Sequence, residues 1–139
     1  MRPFTFIALV IVAFIAGVYL FRPQECGAAC EKKATSIKAA EFYGQISQGG
    51  VTIIDVRTPE EFSSGHISEA LNADFNDQAK FKRYLDSLDK KSKYLIYCRT
   101  GNRSGQALKQ MTAMGFTSVA DLSGGIESWQ SQNLPVSND

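Results

Sequence analysis

A short apolar run, Tyr94-Leu95-Ile96-Tyr97, passes directly into Cys98-Arg99-Thr100-Gly101-Asn102-Arg103-Ser104, and a helical pattern, Gln106-Ala107-Leu108-Lys109-Gln110-Met111, follows. The stretch reads as a buried strand, a tight loop and a helix start. Such a turn aims backbone N–H groups and the positive end of a helix dipole at one point. A cysteine stands at that point. A thiol held there is expected to lose its proton easily and to act as a nucleophile.

The rest of the chain repeats the alternation. Ala39 to Gln48 has helical spacing and stops at Gly49-Gly50, and Val51 to Val56 is a β-branched buried strand. Thr58-Pro59-Glu60-Glu61-Phe62 carries a cap, a first-turn proline and first-turn acids, so a short helix starts there and ends at Gly65. Ile67 to Ala73 is expected to be extended. Phe81, Tyr84, Leu85 and Leu88 mark a helix within 77–88. The helix after the cysteine loop runs to Met114 and stops at Gly115. Ser118 to Leu122 is a further strand, and Gly124-Gly125 opens a last helix through Trp129, with Pro135 beyond it. Strands alternating with helices predict an α/β fold, a parallel sheet with helices on both faces. Ligands in such sheets bind beyond the strands' carboxyl ends. Asp55 and Cys98 both fall there and should share one edge.

The N-terminus is different in kind. Phe4 to Phe21 is almost unbroken apolar sequence, roughly 27 Å long as a helix, close to the thickness of bilayer hydrocarbon. Residues 1–22 are therefore read as a transmembrane signal anchor in preference to a cleaved signal peptide, because the run exceeds a usual signal core. Residues 23–34 read as a tether and 35–135 as the folded domain. Lysine and arginine counts weakly favour a cytoplasmic domain. The signal-like start and the Cys26/Cys30 pair favour an oxidising compartment, where those two can bridge. The expected location is the outer, periplasmic side of a bacterial inner membrane. With three cysteines and one histidine in 139 residues, no metal site is expected, and a net charge of +1 gives no field for nucleic acid.

Ile54-Asp55-Val56-Arg57, Glu61-Phe62, Gly65-His66-Ile67 and Ala70-Leu71-Asn72 resemble one box of the rhodanese family, the thiosulfate sulfurtransferase-like proteins. The loop from Cys98 to Ser104 resembles the family's active-site loop, and Gly124-Gly125-Ile126 with Trp129 its C-terminal box. The resemblance covers roughly residues 35 to 134, and with the apolar segment it points to membrane-tethered or exported bacterial members. It implies the three-layer rhodanese fold, preceded here by one hydrophobic helix. It implies transfer of sulfane sulfur from thiosulfate to cyanide or a thiol through a Cys98 persulfide, with no cofactor.

On that reading Cys98 is catalytic, and Arg99, Thr100, Gly101, Asn102, Arg103 and Ser104 bind substrate. Backbone N–H groups from Arg99 to Arg103 would form a nest around the sulfur, with Gly101 permitting the turn. Arg103 is expected to face the pocket and Arg99 to guide anions from the rim. Ser104 would cap the helix or donate to sulfur. Asp55 is expected to brace the loop by accepting its N–H bonds, and Arg57 to pair with Glu61 four residues on. His66 reads as a structural hydrogen-bonding residue and Trp129 as a packing anchor.

Other functions compete. Phosphatases and arsenate reductases of related fold carry an arginine six residues after the cysteine, where this chain has Ser104. A sulfur-relay module would take persulfide or polysulfide from a redox protein partner. A tethered, non-catalytic binding domain would have no need of Cys98.

Overall fold

A computed structural model of the chain describes residues 33–138. The expected anchor, nearly all of the tether and the Cys26/Cys30 pair lie outside the described residues. Among the described residues, no helix is long and apolar enough to cross a membrane.

One parallel sheet of five strands forms the middle layer, in the order β1-β5-β4-β2-β3. The strands are β1 (Lys33–Ile37), β2 (Val51–Asp55), β3 (Leu71–Asn72), β4 (Lys93–Tyr97) and β5 (Ser118–Leu122). The helices are α1 (Ala39–Gln48), α2 (Pro59–Ser63), α3 (Gln78–Asp86), α4 (Asn102–Ala113) and α5 (Gly125–Ser131). The central strands β2, β4 and β5 are the β-branched and aromatic runs read from the sequence. They are buried on both faces, as a parallel sheet requires.

Side-chain alternation splits the core in two. Ile53, Leu95, Tyr97, Ala120 and Leu122 face α1 and α5, where Phe42, Ile126 and Trp129 close the layer. Ile54, Ile96 and Val119 face α3 and α4, where Phe81, Leu85, Ala107 and Met111 close the other. Trp129 is 1% exposed and gives its indole N–H to the Pro135 carbonyl at 2.8 Å. That bond ties the chain's last turn to the first layer.

Two segments differ from their expected form. The first strand, Lys33–Ile37, begins inside the stretch expected to be a tether. Its polar composition, Lys-Ala-Thr-Ser-Ile, hides it, because it is an edge strand paired on one side with β5. Of the stretch 67–73, only Leu71–Asn72 joins the sheet, and His66 makes an antiparallel bridge to Ser137.

The local signals at α2 act as read. Thr58 and Glu61 form a reciprocal capping box, and Pro59 takes the first helical position. Gly125 has a role that no local pattern revealed. A Cβ there would stand 2.5 Å from the Cys98 carbonyl oxygen and closer still to that of Arg99. Without one, α5 seats its first turn directly on the cysteine loop. The Ile126 N–H donates to the Cys98 carbonyl at 2.9 Å, and the Glu127 N–H to the Arg99 carbonyl at 3.2 Å.

Gly125→Ala is therefore expected to push α5 off this loop. Urea titration should show a loss of about 1–3 kcal/mol, the range for overpacking a tight contact. An unchanged midpoint would mean that α5 does not need so close an approach.

Candidate active site

Cys98 follows the last residue of β4, and Gly101 turns the chain into α4 with φ 100°. That backbone angle lies in the left-handed region and suits glycine. The Gly101 N–H reaches the Cys98 sulfur at 3.1 Å. The Ser104 hydroxyl, one turn into α4, donates to the same sulfur at 3.4 Å. Cys98 is 1% exposed and belongs to the apolar layer under α4. The loop thus brings one backbone donor and one side-chain donor to sulfur, rather than the wider ring of N–H groups expected from 99–103. The carbonyls of Cys98 and Arg99 are turned away, into the first turn of α5.

The charges around the loop are paired differently from the sequence expectation. Arg57 does not pair with Glu61. It lies ahead of α2, whose first helical residue is Pro59, so helical i,i+4 geometry does not apply to it. Its guanidinium instead grips Asp55, with Nε at 3.0 and 2.9 Å and Nη2 at 2.6 Å from the carboxylate oxygens. Nη2 also donates to the Gly65 carbonyl at 2.7 Å. Burial opposes the Arg57 charge, but the hydrogen bond and attraction of Asp55 outweigh it, and its pKa is raised.

Asp55 does not accept from the cysteine loop. It sits on the Ile53 and Tyr97 face of the sheet, whereas Cys98 sits on the face of Ile96. Its carboxylate is taken up by Arg57, whose backbone N–H adds a bond at 2.9 Å. The two strand ends do share an edge as expected: Asp55 is in register with Tyr97, and the Val56 N–H bonds the Tyr97 carbonyl at 2.9 Å.

Arg103 holds Glu61 with two bonds, Nη1 at 2.7 Å and Nη2 at 2.8 Å. The same carboxylate accepts the Thr58 N–H at 3.1 Å, so the capping box aims it at α4. Arg103 drives the Glu61 carboxyl down to about 2. Arg103 in turn is raised, first by Glu61 and further by Cys98 and Asp55. Arg103 is expected from the sequence to face the pocket; its charge acts on Cys98, but its guanidinium is held by Glu61. Arg99 is on the rim, paired to Glu127 at 2.7 Å with both side chains exposed.

A cleft of about 300 Å³ opens beside the loop, lined by Arg57, Glu61, Gly65, Arg99, Ile126 and Glu127 among others. A larger cavity of about 490 Å³, lined by Gln45, Gln48, Lys93 and Ser118, lies at the opposite ends of the strands, away from the cysteine. Thr100 and Asn102 are exposed on the loop, and Asn102 accepts a bond from Gln106 at 2.7 Å. His66 is 4% exposed, stacks on Phe62 at 3.8 Å, and its Nδ1 meets the Phe62 carbonyl at 3.1 Å. That is a structural placement. Among the described residues no cluster of histidine, cysteine and acidic side chains could hold a metal ion.

A parallel α/β sheet with a cysteine loop at one strand's carboxyl end, and Ser104 where the related phosphatases carry arginine, fits a rhodanese-type domain. The family profile of the rhodanese-like domain matches residues 38–132, and the chain belongs to that family. It is 36% identical over 101 residues to the senescence-associated protein DIN1 of Raphanus sativus, covering 66% of this chain and 55% of that protein. It thus spans only about half the length of that relative. It is 34% identical to thiosulfate sulfurtransferase 16, chloroplastic, of Arabidopsis thaliana, over 76% of this chain and 96% of the relative. Among solved structures, a rhodanese-related protein of Thermoplasma volcanium superposes with a TM-score of 0.66 at 31% identity, over 76% of this chain and 99% of that one.

The Glu61–Arg103 pair predicts an acid dependence. The Glu61 carboxyl is lowered in the folded state, so the unfolded chain takes up its proton first. Its stabilising contribution is complete above about 4.5 and disappears as the pH falls toward about 2. Urea titrations should show Glu61→Gln less stable than the parent by about 1–2 kcal/mol at neutral pH. The gap should close across that acid window. A gap that stays constant with pH would remove the ion pair from the account.

Proposed function

We propose that the chain is a sulfurtransferase that carries sulfane sulfur as a persulfide on Cys98. The supporting observation is the sulfur itself, which accepts hydrogen bonds from the Gly101 N–H and the Ser104 hydroxyl beside the Arg103 charge. Donors fixed in this way favour negative charge on sulfur before and after transfer.

The steps balance without a cofactor. The Cys98 thiolate attacks the outer sulfur of thiosulfate. A new S–S bond forms, the thiosulfate S–S bond breaks, and sulfite leaves with the bonding pair. Cyanide or a thiolate then attacks the terminal sulfur of the persulfide, and the Cys98 thiolate is restored. This is two-step nucleophilic catalysis with ping-pong kinetics.

A second reading concerns the donor. Arg57, Arg99 and Arg103 already hold Asp55, Glu127 and Glu61. A dianion such as thiosulfate meets arginines whose charge is largely answered, which favours a donor with less charge at its reacting end, such as a protein or glutathione persulfide handed over by a redox partner. The expected Phe4–Phe21 anchor is the basis for proposing that this exchange occurs at the periplasmic face of a bacterial inner membrane.

Sulfite release from thiosulfate, with cyanide as acceptor, tests the first reading. Cys98→Ala should abolish it with the fold intact. Arg103→Ala should lower kcat/KM for thiosulfate at least about tenfold through lost anion stabilisation. Unchanged turnover in Cys98→Ala would refute the persulfide reading. Faster sulfur uptake from glutathione persulfide than from thiosulfate would favour the second donor class.

A further inference from the structure

Behind the cysteine lies a carboxyl group that the chemistry above does not use. Asp121 occupies β5 next to its carboxyl end and is 4% exposed. It is in register with Ile96 on β4 and with Ser36 on β1, so its side chain lies on the Ile96 face, the face of Cys98. The Ser36 hydroxyl donates to Oδ2 at 3.3 Å. Oδ1 is fully buried and has no hydrogen-bond partner. From the helix side the Ser104 hydroxyl interacts with the carboxyl, and it is the same group that donates to the Cys98 sulfur.

An ionised carboxylate with one buried, unanswered oxygen is costly. A neutral carboxylic acid has one oxygen that is a donor. We infer that Asp121 is a positioning residue for Cys98, kept as the neutral acid so that its O–H donates to the Ser104 oxygen while the Ser104 O–H donates to sulfur. Each polar atom of the chain is then satisfied, and the single negative charge sits on sulfur. No proton changes owner along the chain; the acid polarises the serine, and the serine holds the thiolate or persulfide anion.

The surroundings agree. Ser36 from β1, Ile96 from β4 and Ser104 from α4 face Asp121, and none of the three is charged. The charge beside the sulfur is Arg103, with Asp55 near it on the side of β2. Burial pushes the Asp121 carboxyl up, and the hydroxyls of Ser104 and Ser36 beside it offset this only in part.

The inference rests on Cys98 being the nucleophile, and its test uses no sulfur donor, so the two can fail separately. The full chain is treated with iodoacetamide across a pH range, and alkylation is read on the Cys98 peptide by mass spectrometry, apart from Cys26 and Cys30. Asp121→Leu and Ser104→Ala should each react about tenfold more slowly at neutral pH, and the double variant no more slowly than either one. The deficit should shrink as the pH rises, which a purely steric disturbance would not produce. Asp121→Asn keeps an N–H donor toward Ser104 and should stay within about threefold of the parent. Circular dichroism confirms that each variant is folded. Should Asp121→Leu misfold, Ser104→Ala and Asp121→Asn still decide. A parent-like rate in Ser104→Ala, or a rate in Asp121→Asn as low as in Ser104→Ala, overturns the inference.

Discussion

The site depends on a backbone contact more than on any side chain. The carbonyls of Cys98 and Arg99 are pulled out of the loop by the first N–H groups of α5, which stand there because Gly125 has no Cβ. Turning those oxygens away leaves the concave side of the loop to the Gly101 N–H and the Ser104 hydroxyl. Had a carbonyl faced the sulfur, its lone pairs would oppose charge on that atom. Elements far apart in sequence, the ends of β4 and β5 and the starts of α4 and α5, thus build a single donor pair on one sulfur.

Around that contact the fold spends its arginines internally. The Arg57–Asp55 pair is buried and, with the bond to the Gly65 carbonyl, closes the turn between β2 and the residues after α2. The Arg103–Glu61 pair links α4 to the capping box of α2. Both pairs satisfy groups that would be expensive to leave alone at low exposure. The Arg99–Glu127 pair is solvated and contributes little to stability.

Much of this was legible in the sequence, and the failures share one cause. β2, β4, β5 and the five helices carry their own periodicity and punctuation, so Val51–Asp55, Thr58-Pro59 and Gly115 announce themselves. The edge strand Lys33–Ile37 does not, because it is stabilised by β5 alone and carries polar residues. The cysteine loop was visible as a motif, and Cys98, Gly101, Arg103 and Ser104 do gather there. Who pairs with whom was not visible. Arg57 and Glu61 suit a helical pair by spacing, but the helix starts between them. Asp55 and Cys98 share a strand edge, but the pleat puts them on opposite faces. Gly125 and Asp121 have roles only through contacts with residues well removed in sequence, Cys98 and Arg99 for the one and Ser104 and Ser36 for the other, and no local pattern carries that information. Asp121 had one available signal, an acidic residue in a strand whose other buried members, Val119, Ala120 and Leu122, are apolar.

The central claim is that the Cys98 sulfur can hold a second sulfur atom. The most direct measurement is the mass of the Cys98 peptide after the native full chain has been exposed to thiosulfate or glutathione persulfide and then alkylated without reductant. The account predicts a gain of one sulfur atom on that peptide, absent from the peptide bearing Cys26 and Cys30 and removed by cyanide. A Cys98 peptide that never gains sulfur from either donor, in a chain that is folded, would contradict it.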